Sequence, residues 1–235
     1  MIQNEKRKNK TNKASFFDLD GVIYCGSLGI DFMKYLHEKG VIAESFVLRI
    51  IKADQLLRSG MITGGKYLKI CADLWRKSIT GLETETIKSE AERFINIIKA
   101  KTSKNAIKLI ESDKANGFMI LGVTASPIEV ASQISKALGF DQIIGTQVST
   151  KDGRYTGKLI RPWPAGKGKA QIVQKLASKF YIDLELSKAY GDSELDIDML
   201  KLVGEPIAVN PDNELEKYAK QHGWKIIRWQ INNDH

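Results

Sequence analysis

Phe16-Phe17-Asp18-Leu19-Asp20-Gly21-Val22 is the stretch on which the fold turns. Its apolar lead predicts a buried strand that ends by pushing carboxylates into solvent. In an open α/β sheet that carboxyl edge is where ligands bind. Two acidic groups so close are costly unless a cation or a reaction uses them. Asp and Gly also favour turns, so the tetrad alone fits a surface turn just as well. The deciding question is whether the rest of the chain supplies a partner for the charge.

Ala189-Tyr190-Gly191-Asp192-Ser193-Glu194-Leu195-Asp196 again runs from strand-like residues into acids, with a helix-like stretch from Ile197 to Val203 behind it. Asp192 can join Asp18 and Asp20 around one hard cation. Mg²⁺ suits such a set, because it takes few carboxylates, keeps several waters and serves phosphate chemistry. The alternative is that Asp192 and Asp196 only cap a helix N-terminus, where acids are favoured in any case.

Two more pieces lie between. Phe118-Met119-Ile120-Leu121-Gly122-Val123 is the most strand-like run of the chain and ends in Thr124-Ala125-Ser126-Pro127. A hydroxyl and free backbone N–H groups at a strand-to-helix turn suit a phosphate oxygen, and Pro127 suits a first helical position. An ordinary helix cap is the competing reading. Ala165-Gly166-Lys167-Gly168-Lys169-Ala170 then opens another helix. A lysine there can balance a phosphoryl group and the carboxylates, or simply be an exposed lysine of a basic protein.

Taken in order, Asp-x-Asp-Gly, Thr-Ala-Ser, Gly-x-Gly-Lys and Gly-Asp-Ser-x-x-Asp resemble the four motifs of the haloacid dehalogenase superfamily. The local text is closest to its phosphoserine-phosphatase-like subgroup, and Asp152 to Gly157 and Ala208 to Asp212 resemble two further subgroup stretches. The resemblance spans about residues 14 to 228. It implies a Mg²⁺-dependent phosphomonoester hydrolase that works through an aspartyl-phosphate on a small or medium organic phosphate. It also implies roles. Asp18 is the nucleophile. Asp20 is the general acid and then the base, and it lends its backbone carbonyl to the metal. Asp18, Asp20 and Asp192 hold Mg²⁺, while Asp196 and Ser193 support them from behind. Thr124 and the Ala125 N–H bind phosphoryl oxygens, and Lys169 offsets their charge. The alternatives are a phosphotransferase or a lipid-phosphate phosphatase on the same site, or a retired binding protein. One departure stands out. Phosphoserine-specific relatives place a glutamate nine residues after the nucleophile to meet an ammonium, and this chain has Ser27 there.

Composition narrows the classes further. The 235 residues are 43% hydrophobic, which suffices for one large domain or a core plus a smaller one. No run reaches the roughly 18 apolar residues of a membrane span, and the polar, lysine-rich N-terminus lacks the apolar segment of a signal peptide. Two cysteines, Cys25 and Cys71, fit a reduced, cytoplasmic protein better than a disulfide scaffold. The net charge of +8 draws anionic substrates. No zinc spacing or basic motif interleaved with aromatics points to nucleic acid. The histidines His37, His222 and His235 are scattered and form no ligand set.

The expected fold is α/β: a doubly wound, mostly parallel, Rossmann-like sheet with a helical cap inserted between the first and second motifs. Residues 1–13 read as a disordered basic tail, 14–28 and 104–235 as the catalytic core, and 29–103 as the cap. From residue 104 on, helix and strand patterns alternate, which implies a parallel sheet covered on both faces. The cap segment instead shows helical periodicity over residues 30–37, 43–57, 66–75 and 84–100. Closing such a cap excludes water and orients substrate. Within it Arg49, Arg58, Lys66 and Arg76 are candidates for a second anionic group. Tyr24, Met33 and Trp75 are candidates for an apolar leaving-group pocket. The sequence leaves the oligomeric state and the particular phosphate ester open.

Overall fold

The computed structural model describes residues 12–161 and 163–229. The expected basic tail falls mainly on residues 1–11, and His235 on the other end, both outside the described residues. Asn12 and Lys13, which the sequence assigns to that tail, are already part of the fold. The Asn12 N–H donates to the Tyr181 carbonyl at 2.9 Å, and the Lys13 ammonium stands 4.2 Å above the Phe118 ring.

β1 (Ala14–Phe17) is short and fully buried. Alternation along it serves two cores at once. Ala14 and Phe16 enter one hydrophobic cluster, and Phe17 enters the other. Five helices follow before the next strand: α1 (Leu28–Glu38), α2 (Glu44–Arg58), α3 (Gly64–Ile79), α4 (Thr84–Arg93) and α5 (Ile95–Ala100). Then come α6 (Lys104–Ala115), β2 (Met119–Pro127), α7 (Ile128–Leu138), β3 (Gln142–Thr146), β4 (Val148–Lys151) and β5 (Arg154–Leu159). The last part holds α8 (Lys167–Phe180), β6 (Lys188–Gly191), a 3-10 turn over Glu194–Asp196, α9 (Ile197–Leu200), β7 (Glu205–Val209), α10 (Asn213–Gln221) and β8 (Lys225–Ile227).

Six strands make one parallel sheet in the order β3-β2-β1-β6-β7-β8. Helices cover both faces, the doubly wound arrangement expected. α8, α9 and α10 pack one face through Val173, Leu176, Met199, Leu200 and Leu215. α6 and α7 cover the other through Ile110, Val130 and Ile134, and this core runs on into α1–α5 through Phe32, Trp75 and Phe94. β1 lies centrally, with β2 and β3 added on one side of it and β6, β7 and β8 on the other. Such a switch point opens a crevice at the carboxyl ends of the strands.

β4 and β5 form a separate antiparallel hairpin that grips the helical segment. The Gly81 N–H donates to Tyr155 O and the Thr84 N–H to Gly153 O, both at 2.8 Å, and Arg154 pairs with Glu83 at 2.6 Å. β3 and β4, one residue apart in the chain, thus belong to different sheets. The single helix expected over 84–100 is interrupted at Phe94, whose ring packs on Phe32 and Tyr35 with centroids 5.4 and 5.2 Å away. β2 runs on to Pro127 through a register shift after Val123, so the Thr-Ala-Ser turn is an irregular strand end and not a helix cap. No helix among the described residues is long and apolar enough to cross a membrane.

Candidate active site

The carboxyl ends of the neighbouring strands β1 and β6 bring the two acidic motifs together. The Asp18 N–H donates to the Tyr190 carbonyl at 2.9 Å, which joins the strand ends where the motifs begin. One oxygen each from Asp18, Asp192 and Asp196 lies within 4.8 Å of the others. Lys169, in the first turn of α8 and 3% exposed, reaches into this group. Its ammonium sits 3.0 Å from Asp18 Oδ2 and 2.5 Å from Asp196 Oδ1. Lys167, two residues earlier, is exposed.

Asp196 is committed to this framework. Its Oδ2 accepts from the Asp192 N–H at 3.1 Å, the Ser193 N–H at 3.2 Å and Ser193 Oγ at 3.3 Å, a reciprocal cap that shapes the loop carrying Asp192. Glycine is required beside it. A Cβ on Gly21, whose φ is +71°, would fall 1.9 Å from Asp192 Oδ2.

Asp20 is placed differently from Asp18. Its carboxylate is not in the acidic group but turns to the other side of the β1 loop. Oδ1 accepts from the Leu28 N–H at 2.6 Å, and Oδ2 accepts from Ser126 Oγ at 2.8 Å and from Thr124 Oγ1 at 3.5 Å. Contrary to the expectation from sequence, the Asp20 side chain is therefore not placed with the Asp18 and Asp192 carboxylates to share a cation. Thr124 is fully buried and also accepts from the Ser126 N–H at 3.1 Å. The Ala125 carbonyl accepts from Thr146 Oγ1 at 2.5 Å.

Charge here is out of balance, since the three carboxylates of the group share one ammonium and Asp20 lies close by. Burial is the main cause that pushes Asp18 from 3.8 up to about 7, with Asp196 and Asp20 adding to it and Lys169 pulling back. Burial likewise raises Asp192 well above the usual carboxylate value, helped by Asp18 and Asp196. Asp20 is raised by burial against the Leu28 N–H and Ser126 hydroxyl bonds that favour its anion. Burial works against the Lys169 charge, but Asp18 and Asp196 outweigh it, so that ammonium is held firmly protonated. An all-oxygen donor set with surplus negative charge fits a hard divalent cation. Asp196 is tied to Lys169 and to three donors of its own loop, and Asp18 carries one contact on each oxygen, from Lys169 and the Leu19 N–H, so the Asp192 carboxylate is the least engaged of the three toward a cation, with Asp18 beside it.

Behind Asp20 and Ala125 a cavity opens between the strand ends and the helical segment. It is partly open to solvent and is lined by residues of α1, α2 and α3 and by the ends of β2 and β3. Met33 and Trp75 line it as the sequence suggests. Tyr24 is not among its lining residues; it is core, and its hydroxyl donates to Asp31 at 2.8 Å. None of the four basic candidates lines the cavity either. Arg58 pairs with Asp54 at 2.8 Å, Arg76 pairs with Asp73, and Arg49 and Lys66 are exposed.

Sequence reasoning missed three supports. Ser126 was quoted in its motif without a role, although its hydroxyl is the shorter of the two hydroxyl bonds to Asp20. The Leu28 N–H comes from the start of α1, and no residue type announces it. Asp212 accepts from the Glu194 N–H at 3.0 Å and the Leu215 N–H at 2.8 Å, so it ties the Asp192 loop to α10. Its place ahead of a helical pattern was the available signal.

Residues 15–201 match the family model described as haloacid dehalogenase-like hydrolase. The chain is 31% identical over 228 residues to a phosphoserine phosphatase of Mycobacterium tuberculosis, across 93% of this chain and 71% of that protein. It is 30% identical over 222 residues to a histidinol-phosphatase of Neisseria meningitidis, across 92% of this chain and 98% of that protein. Among solved structures, a Bordetella pertussis protein of unknown function superposes with a TM-score of 0.80 at 23% identity, covering 94% of this chain and 99% of that one.

Proposed function

The chain belongs to the haloacid dehalogenase-like hydrolases and is a phosphatase of that type, and we propose that it is a Mg²⁺-dependent phosphomonoesterase whose nucleophile is Asp18. The observation that carries this reading is the buried, acid-rich cluster at the β1–β6 edge, in which one fixed ammonium meets several carboxylates. Asp18, Asp192 and the Asp20 carbonyl would hold Mg²⁺, which supplies polarisation of the phosphoryl group and screening of the acid surplus.

Lys169 orients Asp18 through Oδ2 and favours its anion against burial, and the Leu19 N–H fixes Oδ1 at 2.7 Å. An Asp18 oxygen attacks phosphorus in line, a P–O bond forms to Asp18, and the bond to the leaving oxygen breaks. Asp20 hands its proton to that leaving oxygen. Its raised pKa suits an acid, and the Leu28 N–H and Ser126 Oγ hold it in place. In the second half Asp20 takes a proton from water. The water oxygen attacks phosphorus, the Asp18–phosphorus bond breaks, and inorganic phosphate leaves. The Ala125 N–H and the Lys169 ammonium meet the phosphoryl oxygens. Thr124, through its bonds to Asp20 and Ser126, shapes the turn that presents them. Helices α1–α5 act as the cap that keeps water from this exchange.

The test is phosphate release from a panel of phosphomonoesters with and without Mg²⁺, beside Asp18→Asn. Turnover that needs Mg²⁺ and vanishes in the variant is expected. Turnover that survives in Asp18→Asn overturns the assignment.

A further inference from the structure

The helical segment is fastened to the core along one side and loose along the other. Its two chain crossings are tied together. The Cys25 N–H donates to Lys101 O at 2.7 Å and the Ser103 N–H to Ile23 O at 2.9 Å. Asp31 Oδ2 accepts from the Tyr24 hydroxyl and the Lys101 ammonium, both at 2.8 Å. α4 and α5 lie against α7, with Ile87, Ala91 and Ile98 buried. The hairpin holds the corner between α3 and α4. Besides the Gly81 and Thr84 bonds, Arg76 Nη1 donates to Gly157 O at 3.3 Å. The hairpin is in turn bound to α7 by the Tyr155 hydroxyl, which donates to Glu129 at 2.9 Å.

Residues 43–71 have no such ties. Apart from the backbone ladder of α3, no hydrogen bond or ion pair among the described residues joins them to the rest of the chain. α2 packs on α1 and α3, with Val47, Ile50 and Ala53 buried. The start of α3 rests on the loop that carries Asp192. A Cβ on Gly64 would stand 3.2 Å from Glu194 Oε1 and 3.6 Å from Leu195 Cδ1, and one on Gly65 would stand 3.9 Å from Leu195 Cδ2. Neither glycine has a positive φ, so what a larger side chain would disturb there is the close approach. The Glu194 carboxylate also faces the positive end of a 16-residue helix, which adds attraction to the contact.

We propose that the helical segment does not open as one body: α2 and α3 form an arm, jointed at Gly40 and at the anchored end of α3, that closes the site by seating Gly64 and Gly65 on Glu194 and Leu195. Ile50, Tyr67, Leu68 and Cys71 travel with the arm and belong to the cavity wall, so that wall is complete only while the arm is seated. Asp18, Asp20, Lys169 and Asp192 stay on the fixed side. Glu194 and the two glycines are thus positioning residues, acting through the wall. The motion does not depend on the phosphomonoesterase reading, while its effect on turnover rests on it.

The experiment is hydrogen–deuterium exchange, read by mass spectrometry without substrate, on wild type, Gly64→Leu and Glu194→Lys. Leucine favours helix, so Gly64→Leu crowds the seat without weakening α3. Glu194→Lys sets a cation against the helix start. In each variant amides of residues 44–70 are expected to exchange at least about fivefold faster, with 84–100 and 148–159 unchanged. With the best ester of a phosphomonoester panel, KM is expected to rise at least about fivefold and kcat to change less than about threefold, since the arm carries wall residues and none of the acid cluster. Faster exchange spread evenly over 44–100 overturns the arm in favour of one rigid segment. Unchanged exchange over 44–70 overturns the seat. Glu194 is exposed, so its variant decides should Gly64→Leu not fold. A level KM beside faster exchange overturns the part of the arm in substrate binding. Absence of turnover in wild type overturns the phosphatase reading alone, because exchange still decides the arm.

Discussion

The sheet carries two buried aspartate–lysine clusters, one toward each end of β1 and β6. At the amino end, Asp113 of α6, 1% exposed, accepts from Ser15 Oγ at 2.7 Å, Tyr190 hydroxyl at 2.8 Å and Lys188 ammonium at 2.8 Å. One buried carboxylate meets one ammonium, with the half-exposed Glu205 carboxylate 3.9 Å from the same ammonium, and two hydroxyls use the remaining acceptor capacity of Asp113. At the carboxyl end, Lys169 faces Asp18 and Asp196 with Asp192 within reach. The residue types match and each cluster holds a buried aspartate, but Lys188 is 19% exposed against 3% for Lys169, and the balance differs. A balanced buried pair holds the structure and asks for nothing more. A buried acid surplus is unfavourable by itself and becomes favourable with a cation and a phosphoryl group present. Charge balance, not burial or pairing, separates the structural cluster from the chemical one.

The largest expected effect breaks the chemical cluster. Asp18→Asn should lower kcat about ten-thousand-fold, the scale for loss of a nucleophile. Its melting temperature in EDTA should stay level or rise, because a repelling charge is removed. A clear fall in that temperature would show Asp18 to be a net structural partner, which the comparison denies. At the other end, Asp113→Ala strands the Lys188 ammonium and two hydroxyls. Denaturant unfolding should show a loss of roughly 3–5 kcal/mol, typical of breaking a buried pair, with kcat per folded molecule unchanged. If Asp113→Ala instead lowers kcat while leaving stability alone, the two clusters are not what their balance says.

Mg²⁺ sharpens the contrast. Melting temperature should rise as Mg²⁺ is added, by the equivalent of about 2.7 kcal/mol at a hundred times Kd. Asp192→Asn should blunt that rise, and Asp113→Ala should keep it. The pH dependence follows from the same imbalance. An acid with a raised folded-state pKa binds its proton more tightly folded than unfolded. Its contribution is therefore complete below the unfolded value of 3.8 and is lost as pH climbs through about 7. Unfolding free energy in EDTA should fall across that window, and Mg²⁺ should flatten the fall. The smallest effect is expected for Ser126→Ala, which removes one donor from Asp20 while Leu28 and Thr124 remain. A drop of about tenfold in kcat, with the Mg²⁺ response unchanged, would match one lost hydrogen bond to a charged group.

The chemical cluster was legible in the sequence and its counterpart was not. Asp18, Lys169 and Asp192 stand in short local patterns, each at a strand end or helix start, and the order of those patterns carries the resemblance. Strand–helix alternation after residue 104 likewise declares the parallel sheet, since periodicity is a local property. Asp113 offers no such pattern. It lies mid-chain in an amphipathic helix, and its partners Ser15, Lys188 and Tyr190 are 98, 75 and 77 residues away. The orientation of Asp20 was hidden for the same reason, because the groups that turn its carboxylate come from α1 and β2. The cavity wall was read only in part. Met33 and Trp75 belong to the helical segment and could be nominated from it. Thr146 and Trp163 reach the same wall from β3 and from the loop before α8, a meeting that only the tertiary fold creates. The break at Phe94 and the β3–β4 split arise likewise from packing, on Phe32 and Tyr35 in one case and on the helical segment in the other.

The central claim is that the acid-rich cluster carries the phosphoryl group on Asp18. The most direct measurement is rapid acid quench of wild-type enzyme turning over acetyl phosphate in Mg²⁺, followed by peptide mass mapping. The account predicts one added phosphoryl group on the peptide that contains Asp18, labile to hydroxylamine and absent when EDTA replaces Mg²⁺. A phosphoryl group found on any other residue, or rapid turnover with Asp18 never modified, would contradict it.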